Sequence, residues 1–223
     1  NKDDFIVGGN SSLGMMFGAV SFFMTHGAGS NEPWGKQGKI KFLCPSPGYD
    51  RHFAITEYFG MELITVPMTS EGPDMDFVEN AVRNDPAIKG IWCVPKYSNP
   101  QGITYSDDTV KRFAKLKSAA PDFRIFWDNA YVVHDLTEKP ASLLNIMDEC
   151  RKCGTEELPL IFYSTSKITF PGAGVAFMAC RGKNLADFKK MYSIQTVGFD
   201  KINQLRHVEF LKDKITLYNH MKK

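Results

Sequence analysis

Apolar side chains along the 223 residues follow two alternating rhythms. Residues 11–26 open on a polar Asn10-Ser11-Ser12 and then space Leu13, Met16, Phe17, Val20, Phe23 and Met24 as a helix with one buried face would. From residue 39 onward, short runs rich in β-branched and aromatic residues alternate with helical patterns: 40–44 then 51–59, 62–66 then 75–83, 88–94 then 107–118, and 123–127 then 141–149. Two more strands, 160–163 and 174–179, precede a helix over 183–192, and a helical stretch runs from 205 to 223. Repeated β-then-α units predict a mostly parallel sheet covered by helices, so the expected fold class is α/β, a three-layer sandwich. Short loops, no Ser- or Pro-rich linker and no repeat of fixed period predict one domain over 1–223, with 27–38 as a polar, Gly-rich surface loop.

Composition narrows the class without naming the chemistry. The chain is 43% apolar and 23% charged, which excludes intrinsic disorder. Its 27 Lys plus Arg against 25 Asp plus Glu leave a charge of +2 spread along the chain, which gives no reason to expect nucleic acid or an anionic membrane as a partner. No apolar run approaches the roughly 18 residues of a membrane span, and Asn1-Lys2-Asp3-Asp4 lacks the sections of a signal peptide, so a cytoplasmic enzyme is expected. Cys44, Cys93 and Cys180 sit in strand-like stretches and read as core thiols. Cys150 and Cys153 form a C-x-x-C with no second pair of ligands, so they read as a helix end with two free thiols rather than a zinc site. The chain starts without methionine and stops inside a helical pattern, and the expectation is a fragment of a longer protein.

In an open α/β sheet, ligands bind outside the carboxyl ends of the strands. Those ends carry Pro45-Ser46-Pro47-Gly48-Tyr49, then Pro95-Lys96-Tyr97-Ser98-Asn99-Pro100-Gln101-Gly102, then Asp128-Asn129-Ala130-Tyr131, then Ser164-Thr165-Ser166-Lys167. If the strands are parallel, the four segments share one edge. That edge holds lysine, a carboxylate, amides, tyrosines and hydroxyls beside a helix N-terminus able to bind an anion. The set suits pyridoxal phosphate: an amine for its aldehyde, a carboxylate for its pyridinium nitrogen, and donors for its phenolic oxygen. Taken singly, Lys167 reads as a surface lysine, Asp128 as a turn cap, Asn99-Pro100 as a turn starter and Ser11-Ser12 as an N-cap. Together, in order and on one edge, they would need several independent coincidences. Gly172-x-Gly174 lacks the third glycine of a dinucleotide fingerprint, and 29–36 misses the spacing of a P-loop. His52, His134 and His207 show no metal spacing and read as a turn residue, an outer neighbour of the site and a surface residue.

The segments 95–102, Trp127-Asp128-Asn129-Ala130-Tyr131 and 164–167 resemble, in that order, the fold type I pyridoxal-phosphate aminotransferases. The separations, 29 residues from Asn99 to Asp128 and 39 from Asp128 to Lys167, also resemble that family. Gly9-Asn10-Ser11-Ser12-Leu13, Cys44 through Phe53 and Ser166 through Phe177 are most similar to a bacterial aspartate aminotransferase subgroup. The resemblance implies the large, cofactor-binding domain of such an enzyme, without an amino-terminal segment and a carboxy-terminal small domain. It makes Lys167 the Schiff-base lysine and proton shuttle and Asp128 the partner of the pyridine nitrogen. It gives Asn99 and Tyr131 the phenolic oxygen, Tyr49 the stacking position, and Ser11, Ser12 and Ser164 the phosphate. Many relatives carry an arginine on the phosphate in a Gly-x-Arg-x-Gly segment, whereas residues 172–176 read Gly-Ala-Gly-Val-Ala, a departure that marks the subgroup.

The function implied is transamination of an amino acid with a 2-oxo acid, aspartate with 2-oxoglutarate, in a homodimer. The alternatives are a cofactor-binding effector domain of a transcription regulator and a lyase or decarboxylase using the same cofactor. The resemblance places the Arg clamp for the substrate carboxylate largely outside this chain, so the chain alone is expected to bind cofactor without turning substrate over.

Overall fold

The computed structural model describes residues 2–135, 137 and 139–222. Chain order gives β1 (Phe5–Val7), α1 (Ser12–His26), β2 (Lys41–Ser46), α2 (Asp50–Tyr58), β3 (Glu62–Thr69), β4 (Gly72–Pro73), α3 (Met75–Asn84) and β5 (Ile88–Cys93). There follow α4 (Asp107–Ala114), β6 (Arg124–Asp128), α5 (Ile146–Cys153), β7 (Pro159–Ser164), β8 (Ala176–Ala179), α6 (Gly182–Gln195), α7 (Lys201–Leu211) and α8 (Lys214–Met221). The strands lie in the order β1-β8-β7-β6-β5-β2-β3-β4. β3, β2, β5, β6 and β7 run parallel, so the ends of β2, β5, β6 and β7 do share one edge of the sheet. β8 returns antiparallel on β7, β1 antiparallel on β8, and β4 is a two-residue antiparallel return on β3.

Strand alternation builds the three layers. Phe42, Trp92, Phe126 and Phe162 face α1, α2 and α6, while Leu43, Ile91, Cys93, Ile125 and Trp127 face α3, α4 and α5. Cys44, Cys93 and Cys180 are buried, as core thiols should be. Cys150 and Cys153 close α5, the first buried and the second exposed, with left-handed Gly154 as the cap. The segment 27–38 is more than a surface loop: its 3-10 turn drives Trp34 fully into the core, 4.9 Å from the Phe23 ring and 6.3 Å from Phe42.

Three predicted helices change their limits for local reasons. The helix expected over 141–149 begins only at Ile146, because Asn145 caps it by accepting from Met147 N and the Ala141 amide is bound to Tyr97 Oη. The helix expected over 107–118 stops at Ala114, after which Leu116 turns inward and Ala119 N bonds Val82 O across to α3. The stretch 205–223 is two helices, broken at Lys212 with φ 50° and restarted by Asp213, which accepts from Thr216 N.

Gly90 lies mid-strand in β5, where a Cβ would overlap the Phe42 ring and come 3.0 Å from Arg124 O. Gly90→Ala should therefore cost about 1–3 kcal/mol by forcing Phe42 off its packing, read as a lower denaturation midpoint in urea. An unchanged midpoint would mean that the ring yields freely.

Candidate active site

Asp128 ends β6 on the same face as Phe126, toward α2, and is 4% exposed. Its Oδ2 accepts from His52 Nε2 at 3.1 Å, while its Oδ1 is buried with no hydrogen-bond partner among the described residues. A carboxylate can only accept here, so the imidazole carries its proton on Nε2. His52 is itself 1% exposed and lies flat against Trp92, ring centroids 4.7 Å apart and planes 14° from parallel. Trp92 Nε1 donates to Thr56 Oγ1 at 2.9 Å, and Thr56 Oγ1 donates to the His52 carbonyl at 3.2 Å. One turn of α2 therefore fixes the imidazole that fixes the carboxylate.

Lys167 ends a 3-10 turn that follows β7, and its ammonium sits 3.7 Å from the centroid of the Tyr131 ring. His134 packs edge-on to Tyr131 and donates from Nε2 to the Lys167 carbonyl at 3.1 Å. Burial lowers the His134 pKa from its usual value; the Lys167 carbonyl opposes this and the Lys167 charge adds to it. Tyr49, half-buried at the start of α2, stacks edge-on to His52. Burial, then the charge of Asp128, holds its hydroxyl above the ordinary range, and Tyr131 adds to the effect. Asn99 shares a narrow crevice with Tyr49, His52, Phe53 and Trp92.

The α1 N-terminus reaches the same edge through Asn10, whose Nδ2 donates to Gly172 O at 2.7 Å and whose carbonyl accepts from Ser166 Oγ at 3.0 Å. Ser11 caps α1 by accepting from Gly14 N, Ser12 opens the helix, and Ser164 ends β7 opposite Ala176. The structure thus gathers Lys167, Tyr131, Asp128, Tyr49 and Asn99 around one strand edge, with the serines on its α1 side. The missing arginine also has a physical reason. A Cβ at Gly174 would lie 2.7 Å from Ser166 Oγ and 2.8 Å from Ser166 N, so any side chain there would displace the turn that carries Lys167.

The sequence model of the aspartate amino-transferase family matches residues 1–223. The chain belongs to the aspartate aminotransferase family. It is 44% identical over 209 residues to the aspartate aminotransferase of Corynebacterium glutamicum strain ATCC 13032, covering 93% of this chain and 48% of that protein. A crystal structure of an aspartate transaminase from the same organism superposes with a TM-score of 0.95 at 42% identity, over 98% of this chain and 52% of that one. The α-aminoadipate aminotransferase LysN of Thermus thermophilus, solved with N-(5'-phosphopyridoxyl)-L-leucine, shares the fold at 20% identity with a TM-score of 0.76, over 99% and 52% of the two chains. The chain spans about half the length of the curated relatives it matches.

Within this aminotransferase fold, two of the three histidines lie elsewhere than the sequence suggests. His52, read as a turn residue, is the buried partner of Asp128. The signal was present in the α2 pattern, because His52, Ile55, Thr56 and Phe59 fall on one helical stripe and the first and third are the polar members of a buried face. His207, read as a surface residue, bonds Thr169 Oγ1 at 2.9 Å and so ties α7 to the segment after Lys167. His134 adjoins the site as expected.

Proposed function

We propose that this chain is the cofactor-binding large domain of a pyridoxal-phosphate-dependent aminotransferase acting on aspartate with 2-oxoglutarate. The observation that carries the reading is the Asp128 carboxylate, buried, held by His52 on one oxygen and without a partner among the described residues on the other, at the same strand edge as Lys167. A protonated ring nitrogen is the donor that such an oxygen lacks, so the residues present fit the cofactor. Asp128 would hold that nitrogen, Asn99 and Tyr131 the phenolic oxygen, Tyr49 the ring face, and the α1 N-terminus with Ser11, Ser12 and Ser164 the phosphate. When bound, pyridoxal phosphate supplies an electron sink for the charge left at the substrate's α-carbon.

The chain's own residues do the rest. The Lys167 Nζ would take the proton from the substrate's α-carbon and deliver it to the carbon of the cofactor's aldehyde, and the face of Tyr131 would steady the amine between the two positions. His134 pins the backbone of Lys167, so the amine moves on a fixed base. With one oxygen occupied by His52, Asp128 would offer the other to the ring nitrogen.

Identity to the Corynebacterium enzyme supports aspartate as the substrate. The exposed Val197, Ile202, Leu205, Val208 and Phe210 support a homodimer or a covering domain in the whole protein, which we place in the cytoplasm.

Mixing the chain with pyridoxal phosphate should produce a visible absorption band, and borohydride should then fix a phosphopyridoxyl label on Lys167, located by peptide mass spectrometry. A label scattered over many lysines, or none, would overturn the assignment.

A further inference from the structure

Lys96, Tyr97 and Asp135 form a cluster that the proposed chemistry leaves without a role. Lys96 is 6% exposed, and its ammonium lies 2.6 Å from Asp135 Oδ1 and donates to Val132 O at 3.1 Å. The Tyr97 hydroxyl donates to the same Asp135 oxygen at 3.1 Å and accepts from Ala141 N at 3.1 Å. Tyr97 also has φ 50°, a left-handed backbone that a bulky side chain adopts only when its surroundings dictate it. A buried ammonium and a strained tyrosine closing on one carboxylate are costly features. Their position along the chain suggests what they are for.

Val132 directly follows Tyr131, and Tyr97 stands two residues before Asn99. The turn between Tyr97 and Asn99 is stiff: Ser98 N bonds Ile103 O, Ile103 N bonds Ser98 Oγ, and Tyr97 N bonds Thr104 Oγ1. Asn99 therefore leaves a backbone whose two preceding residues, Tyr97 and Ser98, are anchored. On the other side, His134 adjoins Asp135 and donates to the Lys167 carbonyl. The cluster thus ties the loops after β5 and β6 together at the two residues proposed to reach the phenolic oxygen, one residue away from the link to the lysine.

We propose that Asp135, gripped by Lys96 and Tyr97, is a positioning residue that sets Asn99 and Tyr131 as a matched pair of donors to the cofactor. This rests on the cofactor reading above and goes beyond it. A brace that served stability alone would change the melting temperature and leave the cofactor's spectrum untouched, whereas a positioning residue changes the hydrogen bonding that the spectrum reports.

The test loads the 223-residue chain with pyridoxal phosphate and records the visible absorption maximum, the rate of cofactor loss and the melting temperature of the unloaded chain. Asp135→Ala should shift the maximum in the same direction as Tyr131→Phe and speed cofactor loss about tenfold, as the loss of one well-placed hydrogen bond would. Tyr97→Phe should shift it less, Asp135→Asn should restore most of the wild-type spectrum, and Asp135→Ala combined with Tyr131→Phe should shift no further than Tyr131→Phe alone. Asp85→Ala breaks the Lys41 ion pair at the opposite end of the strands and should lower the melting temperature with no spectral shift. Absence of a band in the wild-type chain would overturn the cofactor reading itself. A wild-type band that stays in place in Asp135→Ala and Tyr97→Phe would overturn the positioning role, and Tyr97→Phe alone decides the matter if Asp135→Ala does not fold.

Discussion

Replacing Lys167 by alanine in the complete enzyme should reduce transamination by at least roughly a thousandfold while leaving the fold almost unchanged. Proton transfer by a placed base accounts for about 10²–10⁴ of rate by itself, and under the proposed function Lys167 is also the nucleophile toward the cofactor's aldehyde, so both contributions would vanish together. The fold loses little, because the Lys167 side chain is exposed and its carbonyl, which holds His134, survives the substitution. What goes is the ammonium contact with Tyr131, worth about 0.5–1 kcal/mol at an exposed site. Lys167→Arg separates charge from chemistry: it keeps a cation over the ring but stays protonated, so its turnover should fall as far as that of the alanine variant. Oxaloacetate formation from aspartate and 2-oxoglutarate, measured alongside a thermal melt, checks both halves. Turnover within tenfold of wild type in either variant would remove Lys167 from the reaction.

The strand edge was legible in the sequence because each of its parts announces itself locally. A Pro-rich turn after an apolar run, an Asp after Phe-Trp and a Lys after three hydroxyl residues all sit where a parallel strand must stop. Strand direction was not legible at β8: periodicity marks 174–179 as a strand but is blind to whether the chain crosses over or folds back, and the short 165–175 connection, without a helix, was the available clue. The start of α5 was misjudged because Ser142, Leu143 and Leu144 fit a helical stripe, whereas the Tyr97 hydroxyl claims the Ala141 amide from 44 residues away. His52 was missed for a related reason. Burial of a polar side chain depends on a partner, and its partner Asp128 lies 76 residues further along, on another element. The stripe of His52, Ile55, Thr56 and Phe59 marks a buried face of α2, but it does not name the partner on another element.

The companion prediction concerns Asp128, where two substitutions should part stability from turnover. Asp128→Asn keeps an acceptor for His52 Nε2 and nearly the same volume, but it carries no charge to balance a protonated ring nitrogen. The electron sink then loses much of its pull on the α-carbon, and turnover in the complete enzyme should fall by about 10²–10³, the scale of removing one preorganised electrostatic partner. Asp128→Ala adds a structural cost, since it strands the buried His52 Nε2–H at about 1–3 kcal/mol. Part of that cost is offset, because the carboxylate itself is desolvated and has one oxygen without a partner, a penalty that alanine removes. The expected order is therefore wild type, then Asn, then Ala in stability by urea denaturation, with both variants similarly and severely impaired in turnover. Near-normal turnover in Asp128→Asn would show that the ring nitrogen finds its partner elsewhere. Equal stability of the two variants would show that removing the desolvated polar group fully offsets the loss of the His52 hydrogen bond.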